Sequence, residues 1–200
     1  MKDTRQLILN TARVLFNDKG FNSVSLREIA ETIGISKGNL TYYFNKKEDI
    51  IEALIAETKD TRITDTPDSL FALDNYFADM QHVVQNNSYY FAHHTQLSQV
   101  SDVIRQKQNV VSEEKTDILK KALINLCNQE VIRKELFPGE YDYLVDALHM
   151  GSIYWKSYQR LQNIENTNKK VFSYRHYAWG ILYNTLTEKG QEELVSIIML

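Results

Sequence analysis

Residues 25–49, SLREIAETIGISKGNLTYYFNKKED, predict two short helices joined by a tight turn. The apolar residues of the first half recur at the three- and four-residue intervals of one helix face: Leu26, Ile29, Ala30 and Ile33. Ser25 can accept a hydrogen bond from the free amides that begin this helix, and Glu28 completes a capping box. Gly34 is expected to end the helix, because glycine takes the left-handed conformation without strain. Ser36 can then cap the second helix.

Two short helices around a glycine turn can place the second helix in the major groove of DNA. Lys37 and Gly38 open that helix, where free amides and the helix dipole favour a phosphate. Tyr42 and Tyr43 carry hydroxyls and rings that can contact phosphates, base edges or thymine methyls. The residues predicted to contact DNA are Ser25, Arg27, Ser36, Lys37, Gly38, Thr41, Tyr42, Tyr43, Lys46 and Lys47.

The aromatic triplet at 42–44 also admits a plainer interpretation, in which the rings form a local core and the neighbouring lysines are ordinary solvated charge. For an isolated triplet this interpretation would be the better one. Here the capped first helix, the glycine turn and the lysines all agree with DNA binding, and agreement between these levels favours the DNA-binding hypothesis.

At these residues the chain resembles the N-terminal domain of TetR-family transcriptional regulators. Three segments carry the resemblance: ILNTARVLFNDKGF (8–21), SLREIAETIGISKGNLTYYF (25–44) and KKEDI (46–50). One departure is Thr41, which stands where relatives often have an aromatic residue.

The resemblance implies an all-α protein that binds a palindromic DNA operator as a homodimer and usually represses nearby genes. Residues 1–47 would form a three-helix, helix-turn-helix DNA-binding domain. A helix from residue 47 to about 61 would connect it to a helical ligand-binding and dimerisation domain, residues 62–200.

Composition agrees with a DNA-binding protein although the net charge of the chain is −3. Residues 1–50 hold eight basic and six acidic residues, so this part carries +2 and the remainder carries −5. A locally basic face is sufficient, because phosphates are neutralised locally. The single Cys127 excludes an intrachain disulfide, and no apolar run approaches the ~20 residues that cross a bilayer. With no signal peptide in view, these features predict a cytoplasmic protein that is not bound to a membrane.

The remainder of the chain predicts further helices, since apolar residues recur at helical intervals and no period-two alternation calls for a sheet. Polar residues 61–67, which end in proline, predict a break between the two domains. The predicted later helices span residues 68–85, 89–98, 102–128, 141–161 and 171–186, and Gly190 is expected to separate a short last helix.

The two late helices at 141–161 and 171–186 have broad apolar faces. The family resemblance implies that this pair packs against its symmetry mate as a four-helix bundle. The alternative is that both helices simply fill the core of their own chain. The residues on the faces in question are Leu144, Leu148, Gly151, Ile153, Trp155, Tyr177, Ala178, Ile181, Leu182 and Thr185.

The C-terminal two thirds of the chain is rich in aromatic residues, which suits either a cavity for a small apolar or aromatic effector or a dry core. The residues predicted to bind such a ligand are Tyr89, Tyr90, His93, His94, Tyr154, Trp155 and Tyr158. His93 and His94 do not predict a metal site, because adjacent histidines on a helix point about 100° apart.

The sequence contains none of the motifs expected of an enzyme, such as a phosphate-binding glycine loop, a nucleophile elbow or HExxH. We therefore expect no catalytic residues and no cofactor. The hypotheses that stay open are a ligand-released repressor, a regulator that responds to a protein partner, and an activator.

Overall fold

The computed structural model describes residues 4–57, 65–162 and 173–198, and these residues form an all-α structure with no strand among them. The first seven helices are α1 (Thr4–Lys19), α2 (Leu26–Thr32), α3 (Lys37–Tyr43), α4 (Lys47–Glu57), α5 (Leu70–Asn86), α6 (Ser88–Ala92) and α7 (His94–Val100). The remaining four are α8 (Asp102–Asn128), α9 (Glu140–Leu161), α10 (Tyr174–Leu182) and α11 (Glu188–Ile198). The fold class predicted from the sequence is confirmed.

The predicted turn between α2 and α3 is present, with its capping groups. The Ser25 hydroxyl accepts a hydrogen bond from the Glu28 amide at 3.2 Å, and the Ser36 hydroxyl accepts one from the Asn39 amide at 3.1 Å. Gly34 has φ +75°, a left-handed conformation that favours glycine. The amide of Ile35 donates to the Ala30 carbonyl at 3.0 Å, which closes a Schellman motif at the end of α2.

The helix-turn-helix lies in a compact unit that combines the described residues of 4–57 with residues 86–108. Its core comes from α1 to α4 together with α6, α7 and the start of α8: Ile8, Leu9, Ala12, Phe16, Phe21, Val24, Ile29, Ala30, Leu40, Phe44, Ile50, Ile51, Leu54, Ile55, Tyr89, Leu97 and Ile104. The domain boundary predicted from the sequence puts residues 86–108 in the C-terminal domain. The sequence does not reveal that this segment packs into the core of the first unit, because the residues it contacts there are distant along the chain.

Asn17 of α1 holds the junction between α5 and α6. Its Oδ1 accepts hydrogen bonds from the Ser88 hydroxyl and the Tyr89 amide, both at 3.0 Å, and its Nδ2 donates to the Asn86 carbonyl at 2.9 Å. One side chain therefore satisfies a carbonyl at the end of α5 and an amide at the start of α6, where backbone groups lack helical partners.

The second compact unit takes in the described residues of 65–85, 109–162 and 173–198. Its core combines leucines with six aromatic residues, and Phe77 meets Trp179 edge-on at 5.5 Å between ring centroids. A buried carboxylate links α5 to α10: Asp74 accepts hydrogen bonds from Arg175 at 2.6 and 2.7 Å and from the Trp179 indole at 2.9 Å. With these partners the buried charge is paired and hydrogen-bonded, as burial requires.

Two helix predictions are wrong in detail. The single helix predicted over 89–98 is two helices, because His93 leaves helical geometry at φ −120° and ψ 18°. Gly190 does not separate the last helix but lies inside α11, where a Cβ atom would sit 2.2 Å from the Val131 carbonyl oxygen. Glycine at this position permits a close approach of two backbones.

Three other predicted boundaries fall partly outside the described residues. These are the end of the connecting helix beyond residue 57, the break at 61–67 up to residue 64, and the start of the 171–186 helix before residue 173. Within the described part of that last segment, α10 ends at Leu182 and a 3₁₀ turn follows it over Tyr183–Thr185.

Candidate nucleic-acid interface

The short helix α3 has one buried face and one strongly exposed face. Leu40 is fully buried and Phe44 is 4% exposed, so these two side chains anchor the helix to the core. On the opposite face Tyr42 is 83% exposed, beside exposed Gly38 and Asn39. The local-core interpretation of the aromatic triplet therefore applies to Phe44 and is wrong for Tyr42.

Several side chains predicted to contact DNA already have partners within the protein. The Ser25 and Ser36 hydroxyls cap helices. The Thr41 hydroxyl donates to the Gly38 carbonyl at 3.0 Å, and Arg27 pairs with Glu31 at 2.7 Å on the exposed surface.

Lys47 is engaged inside the unit. Its ammonium donates to the carbonyls of Phe21 at 2.6 Å and Val24 at 2.8 Å, and it lies 4.3 Å from the centroid of the Phe21 ring. Burial lowers the pKa of Lys47. These contacts fix the segment that leads into α2, and the sequence offers no local sign of them.

Six exposed side chains on or beside α3 have polar groups with no hydrogen-bond partner in the described part of the protein: Lys37, Asn39, Tyr42, Tyr43, Asn45 and Lys46. Four of them are among the residues predicted from the sequence, whereas Asn39 and Asn45 are not. The signal for Asn39 was available in its position, three residues before Tyr42 and four before Tyr43 on one helix face.

Two carboxylates near this surface, Glu28 and Glu31, are paired with basic side chains. Lys19 lies 2.7 Å from Glu28 and is the main cause of the lowered pKa of that carboxyl, to which the Ser25 amide also contributes. Arg27 likewise pairs with Glu31, whereas the exposed ammonium groups of Lys37 and Lys46 make no ion pair with any carboxylate in the described part of the chain.

In the second unit, a pocket of about 620 Å³ lies between α9 and α10. It is lined by Met150, Gly151, Tyr154, Trp155, Tyr158, His176 and Tyr177. The Trp155 and Tyr177 rings are 5.3 Å apart, so one wall of the pocket is continuous aromatic surface. The Nδ1 of His176 in this lining lies 2.7 Å from the Ser173 hydroxyl.

The predicted ligand-binding residues fall into two groups. Tyr154, Trp155 and Tyr158 come together in this pocket. Tyr89, Tyr90, His93 and His94 belong to α6, α7 and their junction in the first unit. Tyr89 is buried there against Phe16 at 5.8 Å, and the His94 carbonyl accepts a hydrogen bond from Gln108 at 3.1 Å.

Helix α9 also carries an apolar stripe that faces away from the core of its own unit. The stripe recurs at three- and four-residue intervals: Tyr143, Ala147, Met150, Tyr154, Tyr158 and Leu161. Five of the residues predicted for a dimer interface are instead buried in their own unit: Leu148, Trp155, Ala178, Leu182 and Thr185. For these five residues the alternative is correct, because they fill the core of their own chain. The sequence left the question open, because a helix that is hydrophobic on two sides does not reveal which side faces inward.

Across residues 4–57, 65–162 and 173–198, no group of three or more His, Cys, Asp or Glu side chains is arranged to hold a metal ion. Over the same ranges, none of the helices has the length and apolar character of a membrane span.

Comparison with known proteins agrees with this geometry. The sequence profile of the bacterial regulatory proteins of the tetR family matches residues 8–54. The transcriptional regulator UidR of Escherichia coli K12 is 40% identical over 57 residues, which are 28% of this chain and 29% of UidR. The match thus spans less than a third of that curated relative.

Solved structures extend the similarity of fold to nearly the whole chain. A TetR-family regulator from Marinobacter aquaeolei VT8 superimposes with a TM-score of 0.87 at 18% identity, covering 98% of this chain and 97% of the other. A gamma-butyrolactone receptor superimposes with a TM-score of 0.61 at 18% identity, covering 97% of this chain and 93% of the receptor. The curated relative matched in the N-terminal region is a transcriptional regulator, and the solved structures share the fold of the chain.

Proposed function

Because this chain is, by its N-terminal domain, a member of the TetR family of bacterial regulatory proteins, we propose that it is a sequence-specific DNA-binding regulator of transcription. The observation that carries the proposal is the outward face of α3. This face combines an exposed tyrosine pair, an exposed amide and two exposed lysines on or beside a helix anchored by Leu40 and Phe44. Action on chromosomal DNA would place the protein in the cytoplasm.

The protein acts as a homodimer on an inverted repeat. One short helix makes too few contacts for tight binding, and two-fold DNA sites are read by two copies of such a helix. The apolar stripe of α9 supports this assembly, because a two-fold interface brings the same face of both copies together. Solvent exposure of Tyr143, Met150 and Tyr154 in the single chain is 68%, 55% and 50%, which is the exposure expected of surface that a second copy covers.

The regulator is a repressor that a small apolar or aromatic ligand releases from its operator. Repression and release are typical of the family. The pocket between α9 and α10 supports a ligand site, since its volume of about 620 Å³ and its aromatic wall are usual for small-molecule sites. A protein of the same fold is described as a gamma-butyrolactone receptor, a small-molecule receptor by its name.

Selection from a library of random DNA duplexes tests the DNA-binding proposal. The purified protein should enrich one inverted repeat, and Tyr42→Ala or Tyr43→Ala should weaken binding to it by about 1–3 kcal/mol. Tyr183→Ala, an exposed tyrosine of the second unit, serves as the matched control and should bind like the unaltered protein. Enrichment of no common sequence, or equal binding by all three variants, would exclude α3 as the reading helix.

A further inference from the structure

Asn39 lies on the outward face of α3, and the DNA-binding proposal gives its side-chain amide no specific partner on DNA. Its backbone amide is held by the Ser36 hydroxyl at 3.1 Å, which fixes the first turn of the helix at this residue. Its side chain is exposed, and the side-chain amide has no hydrogen-bond partner in the part of the chain that the structure describes.

The neighbours of Asn39 leave its amide accessible to a ligand. Tyr42 and Tyr43 lie one turn further along the same face, and the Thr41 hydroxyl is turned back onto the Gly38 carbonyl at 3.0 Å. On α3 itself, Asn39 is the one exposed, unpartnered side chain that offers a hydrogen-bond donor and an acceptor side by side, because Asn45, which carries the same amide, lies two residues past the end of the helix. The ammonium groups of Lys37 and Lys46 only donate.

Gly38, the residue before Asn39, is not required by the fold of the protein. Its φ is not positive, and the nearest atom to a Cβ placed there would be the Ser36 hydroxyl oxygen at 3.9 Å. Glycine inside a helix costs roughly 1 kcal/mol relative to alanine. The bare backbone beside Asn39 therefore has no internal use, but it permits the short asparagine side chain to come close to an external partner.

An amide group matches one base edge of the major groove better than the others. Adenine presents the N7 acceptor and the N6 amino donor next to each other, and an asparagine side chain can satisfy both at once. Guanine presents two acceptors at the same places, so the amide oxygen would face an acceptor. On the premise of the proposed DNA-binding function, we propose that Asn39 reads one adenine in each half of the operator through a bidentate contact.

The test begins with the operator that the unaltered protein selects from random duplexes. Asn39→Ala should then lose base preference at one symmetrical pair of positions, where the unaltered protein selects adenine. Discrimination against the other bases there should fall by ~10- to 100-fold. Binding to unrelated DNA should stay the same. Asn45→Ala, another exposed asparagine just outside α3, is the matched control and should keep every base preference.

A modified operator identifies the contact itself. Replacing the selected adenine with 7-deazaadenine removes the N7 acceptor, which should weaken binding of the unaltered protein about tenfold and leave the binding of Asn39→Ala unchanged. The inference is overturned if Asn39→Ala keeps the adenine preference, or if it binds all sequences more weakly by one factor, as loss of a phosphate contact would. If the unaltered protein selects no DNA sequence, the proposed DNA-binding function itself is wrong, and the contact of Asn39 is not at issue. Thermal unfolding of Asn39→Ala verifies separately that the variant is folded.

Discussion

Lys37 and Lys47 carry the same charge in the same unit, but their surroundings give them different tasks. The Lys37 ammonium is exposed and has no protein partner among the described residues. The Lys47 ammonium is bonded to the carbonyls of Phe21 and Val24. Lys37 is therefore available for a DNA phosphate, whereas Lys47 stabilises residues 21–24, the segment that leads into α2.

Methionine substitutions separate these roles, because methionine keeps the length of the side chain and removes the charge. Lys37→Met should reduce the slope of log affinity against log salt by about one unit with no change in stability. Lys47→Met should lower the free energy of unfolding by about 1–2 kcal/mol, since two carbonyls lose a charged donor. Operator titrations at several salt concentrations and urea unfolding measure the two effects. If Lys47→Met instead shows a reduced salt slope and unchanged stability, Lys47 contacts a DNA phosphate, as predicted from the sequence.

At the scale of elements, the helix α9 serves two surfaces at once. Leu148 and Trp155 point into its own unit, whereas Met150 and Tyr154 lie on the exposed stripe. Ile181 of α10 packs against the core of its own unit. A charge at Ile181 would therefore test folding more than dimerisation.

Met150→Glu is the sharper test of assembly. A carboxylate buried without a partner in a two-fold interface is costly, so this variant should be a monomer at micromolar concentration. Because Met150 is 55% exposed in the single chain, the fold should be retained. Arg160→Glu reverses a charge on the same exposed helix away from the stripe and should stay dimeric. Sedimentation distinguishes the outcomes, and an unaltered protein that is monomeric would contradict the proposed assembly.

What the sequence can predict at this scale is set by the range of the interaction. Caps and turns depend on neighbouring residues, so Ser25, Gly34 and Ser36 were predicted in their observed roles. The close approach at Gly190 depends on Val131, which is distant along the chain. The pocket depends on the pairing of α9 with α10, which is why His176 and Tyr177 were not predicted to line it.

At the scale of the whole molecule, the proposed switch is a coupling between two binding events. Two recognition helices must lie about 34–36 Å apart, or at a matching longer spacing, to bind two half-sites. The pocket is lined by Met150, Tyr154 and Tyr158, which also belong to the exposed stripe. A ligand there would alter the packing of two copies, and it must weaken DNA binding by the same factor by which DNA weakens the binding of the ligand.

Substitutions at Tyr154 and Tyr90 test which of the two groups of predicted residues binds the effector. A thermal-shift screen of small aromatic compounds against the dimer should yield a ligand that the operator displaces. Tyr154→Ala and His176→Ala should weaken this ligand at least tenfold, because both side chains line the pocket. Tyr90→Ala, in the first unit, should leave its affinity unchanged. The reverse pattern would place the ligand among the α6 and α7 residues, and the absence of any ligand would favour a protein partner.

The hydrogen bonds of Asn17 determine which residues a chimaera must include when the DNA-binding segment of this chain is grafted onto a different sensor domain. A graft that transfers only residues up to the end of α4 would leave Asn17 without Ser88 and Tyr89, and Phe16 without the Tyr89 ring. Leu97 and Ile104 would be missing from the same core. The portable DNA-reading module is therefore discontinuous along the chain, and a chimaera with a new sensor has to carry residues 86–108 with it or supply side chains of matching shape.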